Sequence, residues 1–285
     1  MSEQSFAAPF THRFTAGDRV ALAVEYDGSG FYGWQSQRKL RLATVQETLE
    51  QALSRIAAAP IVTACAGRTD AGVHAARQIV HFDTPVARDE KAWVIGANTH
   101  LPAGIAVQWA RPVAADFHAR FTATARRYRY VILNRPVRSA HFSRLATTFH
   151  YALDADLMHA EAQCLLGEQD FSSFRGAGCQ SSTPMRNVHF VSVKRYADWV
   201  VVEIQANAFL LHMVRNIVGT LMEVGCGRQP PGWTAEVFAA RDRTRAAPTA
   251  PPQGLYLVDV QYPARYGLPE TAPGPAFLTP LLMGV

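Results

Sequence analysis

The feature that most constrains this chain is an order of local patterns written twice. Residues 19–26 (RVALAVEY) are rich in strand formers and stop at Asp27-Gly28, so they read as a strand entering a turn. Thr44-Val45-Gln46-Glu47 is a capping box, and Val45, Leu49, Leu53 and Ile56 then recur at helical spacing. Residues 60–66 and 77–83 follow as strands, 89–100 as a helix and 105–112 as a closing strand. The second half repeats that order. Residues 127–133 (RYRYVIL) read as a strand, 154–166 as a helix opened by an Asp154 cap, and 187–196 with 199–205 as a hairpin across Ala197-Asp198. The longest helix is expected over 208–225 and the last strand over 254–262. Two βαββαβ units predict an α/β (α+β) protein of two ferredoxin-like, RRM-like halves, 19–116 and 117–265, with a cleft between them. Residues 1–18 and 266–285 carry no period and read as tails.

Composition removes several classes. With 285 residues, 48% hydrophobic and 18% charged, the chain has enough apolar material for one large core or two ordinary ones, which excludes disorder. Its most apolar stretch, 209–224, holds His212, Arg215, Asn216 and Glu223, a density of polar groups that excludes a membrane span. The N-terminus has no basic start followed by an apolar run and a small-residue cleavage site, so export is not expected. Cys65, Cys164, Cys179 and Cys226 are scattered, with no C-x-x-C and no histidine at finger spacing. Neither a zinc site nor a disulfide framework is indicated, and a reducing cytoplasm is the expected compartment. The net charge is +5, and only Lys39, Lys91 and Lys194 are lysines, so arginine carries the positive charge. An arginine fork suits phosphate and base edges, although codon usage in a GC-rich genome explains the same bias.

Two segments look chemical. Gly28-Ser29-Gly30-Phe31-Tyr32-Gly33 matches G-x-G-x-x-G after a strand, yet a phosphate-binding motif of that kind must open a helix directly, and here the helix begins only at residue 45. With Phe31, Tyr32 and Trp34 in it, the loop reads as a mobile aromatic-bearing surface, or as packing aromatics. The second segment, residues 65–75, runs from a strand into a glycine-bracketed loop that presents Arg68, Thr69, Asp70 and His74 together. Taken alone, it is either a turn in which Asp70 caps its own backbone or a loop that offers Asp70 as a reactive carboxylate. A lone carboxylate fits neither two-metal chemistry nor paired-acid glycoside hydrolysis, so it would need a cation from elsewhere in the chain.

Five motifs in order carry a resemblance that spans about residues 19–265. They are Tyr26-Asp27-Gly28 with Tyr32-Gly33-Trp34-Gln35; Gly67-Arg68-Thr69-Asp70-Ala71-Gly72-Val73-His74; Phe117-His118-Ala119-Arg120-Phe121; Ala125-Arg126-Arg127-Tyr128-Arg129-Tyr130; and Phe209 with His212-Met213-Val214-Arg215-Asn216-Ile217-Val218-Gly219. Together they resemble the tRNA pseudouridine synthase A family. The resemblance implies a pseudouridine synthase fold with a central basic cleft, a cytoplasmic homodimer, no metal and no organic cofactor. It also implies isomerisation of uridine to pseudouridine at positions 38, 39 and 40 of the tRNA anticodon stem-loop, on a base flipped out of its stack. A non-catalytic tRNA-binding chaperone on the same scaffold is the reading from another class.

Site roles carry over by motif. The resemblance makes Asp70 the catalytic aspartate, Arg215 its ion-pair partner through a fork-to-carboxylate bond, and Tyr128 the aromatic platform under the target base. Arg68 resembles the residue that aids flipping, and Phe117, His118, Ala119, Arg120 and Phe121 resemble an RNA-contacting linker. Gly178, Cys179, Gln180, Ser181 and Ser182 correspond to a second-half loop that meets tRNA, and Leu255 to an apolar wall of the base pocket. Arg88 and the cluster Arg126, Arg127 and Arg129 are candidate phosphate contacts, although strand alternation puts Arg127 and Arg129 on the face opposite Tyr128. His74 is expected to fix the loop by a hydrogen bond rather than to move protons.

Overall fold

The computed structural model describes residues 10–37, 42–270 and 272–279. In chain order its elements are β1 (Arg13–Phe14), β2 (Arg19–Tyr26), α1 (Val45–Ala57), β3 (Ala64–Cys65), β4 (His74–Asp83), β5 (Arg88–Asp89), α2 (Ala97–His100) and β6 (Ile105–Val113). There follow β7 (Ala125–Asn134), β8 (Thr147–Phe149), α3 (Ala155–Ala162), β9 (Gly167–Asp170), β10 (Met185–Tyr196), β11 (Trp199–Ala206), α4 (Met213–Gly225), α5 (Trp233–Ala240) and β12 (Leu255–Gln261). Among the described residues no helix is long and apolar enough to cross a membrane.

One ten-stranded sheet runs β6-β2-β4-β12-β7-β11-β10-β9, with β3 and β8 attached to β4 and β7. Each half repeats one order across the sheet. Counting strands along each βαββαβ unit, β6-β2-β4-β3 and β12-β7-β11-β10 both run fourth, first, third, second. The halves fuse because one edge of β4 is divided between two partners. Ala64 and Cys65 pair with His81 and Val80, while Tyr256 and Leu257 pair in parallel with His74 and Ala75. The strand expected over 60–66 is shortened to Ala64–Cys65, and β12 takes the opposite end of the same edge. The loop between β3 and β4 therefore emerges at the seam of the two halves.

Local signals explain the helices. The Thr44 hydroxyl accepts the Glu47 N–H and opens α1, while the Glu47 carboxylate is taken by the Ser36 hydroxyl. Val45, Leu49 and Leu53 place one face of α1 in the main core. The helix expected over 89–100 starts later and wider: Arg88–Asp89 pair with β1, and a π turn over Ala92–Gly96 precedes α2. Asp154 caps α3 by accepting the Leu157 N–H, as expected. α4 begins at Met213 rather than at 208, because His212 is left-handed (φ 59°, ψ 4°) and cannot continue a right-handed helix backwards.

The segments read as tails are docked where they are described. Phe14 of β1, paired with Arg88 of β5, is buried in the core. Near the other end, Tyr266 and Leu278 are buried, and Phe277 packs on Phe142, Trp199 and Tyr256 against the back of the sheet. Arg129 secures this strap by donating to the carbonyls of Pro273 (2.6 Å) and Gly274 (2.7 Å).

Candidate active site

The Asp70 loop is gripped by backbone and by buried polar side chains. Gln78 of β4 brackets Gly67, accepting its N–H (3.3 Å) and donating to its carbonyl (2.5 Å). The Tyr26 and Thr69 hydroxyls bond at 2.8 Å, and the Val73 N–H closes the turn on the Asp70 carbonyl at 3.1 Å. The loop after β2 lies directly on this turn: the Trp34 N–H donates to the Thr69 carbonyl (3.0 Å), and the Gly72 N–H to the Phe31 carbonyl (3.3 Å). A Cβ on Gly28 would fall 2.0 Å from the Val73 carbonyl oxygen, and one on Gly33, where φ is +88°, 2.7 Å from that of Thr69. Gly28 and Gly33 of the G-x-G-x-x-G spacing thus serve close backbone approach rather than a phosphate. The aromatics of this loop divide between the two readings, surface and packing. Trp34 is 1% exposed and belongs to the core, whereas Tyr32, at 55%, stands on the cleft wall. The neighbouring residues 38–41, with Arg38 and Lys39, lie outside the described residues.

His74 fixes the loop, as expected. Its Nδ1 accepts the Gly28 N–H (3.0 Å), which leaves Nε2 to donate to the Gln253 carbonyl (3.2 Å). Burial holds this imidazole below its ordinary range, in keeping with that neutral tautomer.

Asp70 meets its cation across the seam. Arg215 Nη1 lies 3.5 Å from Asp70 Oδ2, and His212 Nε2 lies 3.5 Å from the same oxygen. Asp70 Oδ1 has no hydrogen-bond partner among the described residues. The two-point fork expected for Arg215 is not formed, because its Nε donates to the Ala250 carbonyl (2.7 Å) and a single Nη faces the carboxylate. His212 was not assigned a role from the sequence. The one signal was its place in the motif His212-Met213-Val214-Arg215, since its left-handed backbone puts it outside the helix.

Tyr128 projects from β7 into the same cleft as Asp70 and packs edge-to-face on Phe209 (centroids 4.9 Å, planes at 80°). Burial raises its phenol above the ordinary range; the Asp70 charge adds to this and Arg126 opposes it, so the group keeps its proton at neutral pH. Leu255, the first residue of β12, also lines this cleft, whose volume is about 1230 Å³.

The other expected RNA contacts divide. Arg68, His118, Arg120, Phe121, Gly178, Cys179, Gln180 and Ser181 line the cleft. Arg68 is exposed, and Phe121, 75% exposed, lies under the Arg120 guanidinium at 5.5 Å and beside the His118 ring at 4.3 Å. Phe117 and Ala119 are fully buried, with Phe117 packed on His81, Tyr262 and Tyr266; they hold the linker up and do not reach solvent. Ser182 is exposed beside the cleft without lining it. Arg88 is not brought into the cleft, since its Nε donates to the Ile56 carbonyl near the end of α1. Nor is the arginine cluster free for phosphate. Arg126 is spent on the carbonyls of Ala66, Arg120, Ala123 and Asn207, while Arg127 and Arg129 share Glu203 on the other face of the sheet.

Residues 22–122 and 162–263 match a family model described as tRNA pseudouridine synthase. Over 260 residues the chain is 57% identical to tRNA pseudouridine synthase A of Cronobacter sakazakii, covering 91% of this chain and 96% of that protein. The chain belongs to the tRNA pseudouridine synthase A family. It is similarly 59% identical to the Klebsiella pneumoniae member, with the same coverage, and 58% identical to that of Shewanella amazonensis, of which 99% is covered. Asp70 falls in the first block matched by the family model and Arg215 in the second. The family's two blocks thus contribute one side each of the ion pair across the seam.

Proposed function

We propose that this chain isomerises uridine to pseudouridine at positions 38, 39 and 40 of the tRNA anticodon stem-loop, with Asp70 as the reacting carboxylate. The observation that carries the reading is the one-sided partnering of Asp70. Arg215 and His212 both face Oδ2, while Oδ1 has no partner among the described residues, in a cleft whose lining includes Arg68, Arg120, Phe121 and Tyr128. Tyr128 serves as the platform under the base, Leu255 as its apolar wall, and the exposed Arg68 as the group that takes up the place of the flipped nucleotide. Arg120 and Phe121 are the adjoining RNA contacts. We also propose that the protein works in the cytoplasm as a homodimer.

The chemistry requires the C1′–N1 bond to break, the uracil to turn while held, and a C1′–C5 bond to form with loss of the C5 hydrogen. Asp70 has two ways to start it. Its oxygen pair bonds to C1′ as the C1′–N1 pair leaves with uracil, or it takes a proton from C2′, whose C–H pair becomes a C1′=C2′ double bond as uracil leaves. Both routes need the carboxylate ionised. A tRNA chaperone gains nothing from a carboxylate inside a phosphate-binding cleft. The experiment is tritium release from tRNA labelled at uracil C5, with wild type beside Asp70→Ala. Release at positions 38–40 by wild type alone is expected. Release by Asp70→Ala at the wild-type rate overturns Asp70 as the reactant, and tight binding without release by either protein would favour the chaperone.

A further inference from the structure

Two side chains face Asp70 Oδ2, and only the Arg215 contact is accounted for by the ion pair already described. The other is His212, whose geometry is unusual in three respects. Its backbone is left-handed (φ 59°, ψ 4°), a conformation in which glycine is the ordinary occupant. It stands at the N-cap of α4 without a side-chain capping bond, so the imidazole is not used to start the helix. The second-half loop also presses backbone against the ring. The Gly176 N–H donates to the Leu211 carbonyl (2.8 Å), and a Cβ on Gly176 would fall 3.0 Å from His212 Nδ1 and 2.9 Å from that carbonyl oxygen. With Nδ1 walled in, Nε2 is left 3.5 Å from Asp70 Oδ2, at the same distance as Arg215 Nη1.

We propose that His212 is a positioning residue for Asp70: its Nε2–H donates to Oδ2 and, together with Arg215, turns the carboxylate so that Oδ1 is the oxygen that reacts. This rests on Asp70 being the reacting carboxylate. The arrangement has a chemical reason. Donors gathered on one oxygen fix the orientation of the carboxylate and leave the second oxygen's lone pairs to face the uridine. The strained turn at His212 is what sets the ring at this angle, since a right-handed residue there would begin the helix one position earlier.

The test uses the full chain with His212→Gly, His212→Gln and Asp70→Ala, read by single-turnover tritium release, tRNA Kd and thermal midpoint. Glycine keeps the left-handed turn and removes the donor; glutamine restores an N–H of similar reach. His212→Gly is expected to slow release tenfold or more, with Kd within threefold of wild type and the midpoint within a few degrees, and His212→Gln to recover most of the rate. A wild-type rate in His212→Gly overturns the proposal, and so does a glutamine variant as slow as the glycine one. Parallel losses in rate and Kd overturn it in favour of an RNA contact. Should the glycine variant fail to fold, His212→Asn replaces it, because asparagine accepts the turn but its amide is too short; activity equal to glutamine then overturns the proposal. Release by Asp70→Ala marks failure of the underlying reading, whereas silent Asp70→Ala beside a full-speed His212→Gly marks failure of this inference alone.

Discussion

Arg215 and Ala250 hold each other by two hydrogen bonds of opposite sense: the Ala250 N–H donates to the Arg215 carbonyl (3.1 Å), and Arg215 Nε donates to the Ala250 carbonyl (2.7 Å). The guanidinium is therefore aimed by the strap before β12 as much as by its own helix. Asn216, fully buried, pins that strap by accepting from Thr249 Oγ1 (2.7 Å) and Arg243 (3.1 Å) while donating to the Phe174 carbonyl (2.9 Å). Gly219 allows the close approach, since a Cβ there would fall 2.2 Å from the Pro248 carbonyl oxygen.

Gly219→Ala should consequently push the strap off α4 and swing Arg215 out of line. We expect a stability loss of about 1–3 kcal/mol by denaturant unfolding, with tritium release falling more than tRNA affinity. An unchanged rate at lowered stability would separate the strap from the function of Arg215.

Gly28 and Gly30 belong to one motif but have different surroundings. A Cβ on Gly28 meets the Val73 carbonyl at 2.0 Å, whereas one on Gly30 meets nothing within 4 Å. Gly28→Ala should cost about 1–3 kcal/mol and most of the activity, because it wedges the Asp70 loop away from its support. Gly30→Ala should stay within about 0.5 kcal/mol of wild type and keep its rate. Equal behaviour of the two variants in melting and release assays contradicts this account of the motif.

Arg68 and Arg126 both line the cleft yet should respond oppositely to truncation. Arg68 is exposed and has no side-chain partner among the described residues, so Arg68→Ala should melt within about 0.5 kcal/mol of wild type while losing turnover. Arg126 ties together carbonyls from residues 66, 120, 123 and 207, so Arg126→Met should lose about 3 kcal/mol. Parallel melts and release assays on the two variants decide the matter.

His81 supplies a pH dependence. Its Nδ1 accepts the Ala119 N–H (3.2 Å), and its ring stands 4.6 Å from that of His118. Burial, with His118 and Arg19 adding to it, lowers its pKa from 6.5 to about 4. The unfolded chain therefore takes up this proton first. The contribution to stability is complete above pH 6.5 and is lost as pH falls toward about 4. His81→Asn can accept the same N–H but cannot charge, so its midpoint should fall less across that window. Identical acid limbs in the two proteins would remove His81 from the account.

The two βαββαβ units, the caps at Thr44 and Asp154, the hairpin at Ala197-Asp198 and the reactive loop around Asp70 were legible in the sequence. Each is written in local periodicity, capping chemistry or a contiguous motif, which are short-range properties of the chain. The late start of α4 was not, because the left-handed turn at His212 packs on the loop at Gly176, more than thirty residues away in the chain. The docking of residues 272–279 was hidden for a similar reason: their low periodicity conceals apolar side chains that find partners only on the back of the assembled sheet.

The same division applies to the site. By itself the sequence determined the order of the two βαββαβ units, though not the added β1, β5, β8, β9 and α5, the positions of Asp70, Tyr128 and Arg215, and the resemblance that joins them. Only the tertiary structure decided that β4 shares one edge between β3 and β12, setting the Asp70 loop over the seam, and that His212 joins Arg215 on one carboxylate oxygen. It also decided which arginines are free, leaving Arg68 and Arg120 exposed while Arg126, Arg127 and Arg129 are tied up in the scaffold. The physical reason is that a side chain's chemistry is local, but its availability depends on backbone carbonyls and carboxylates brought to it from distant parts of the chain.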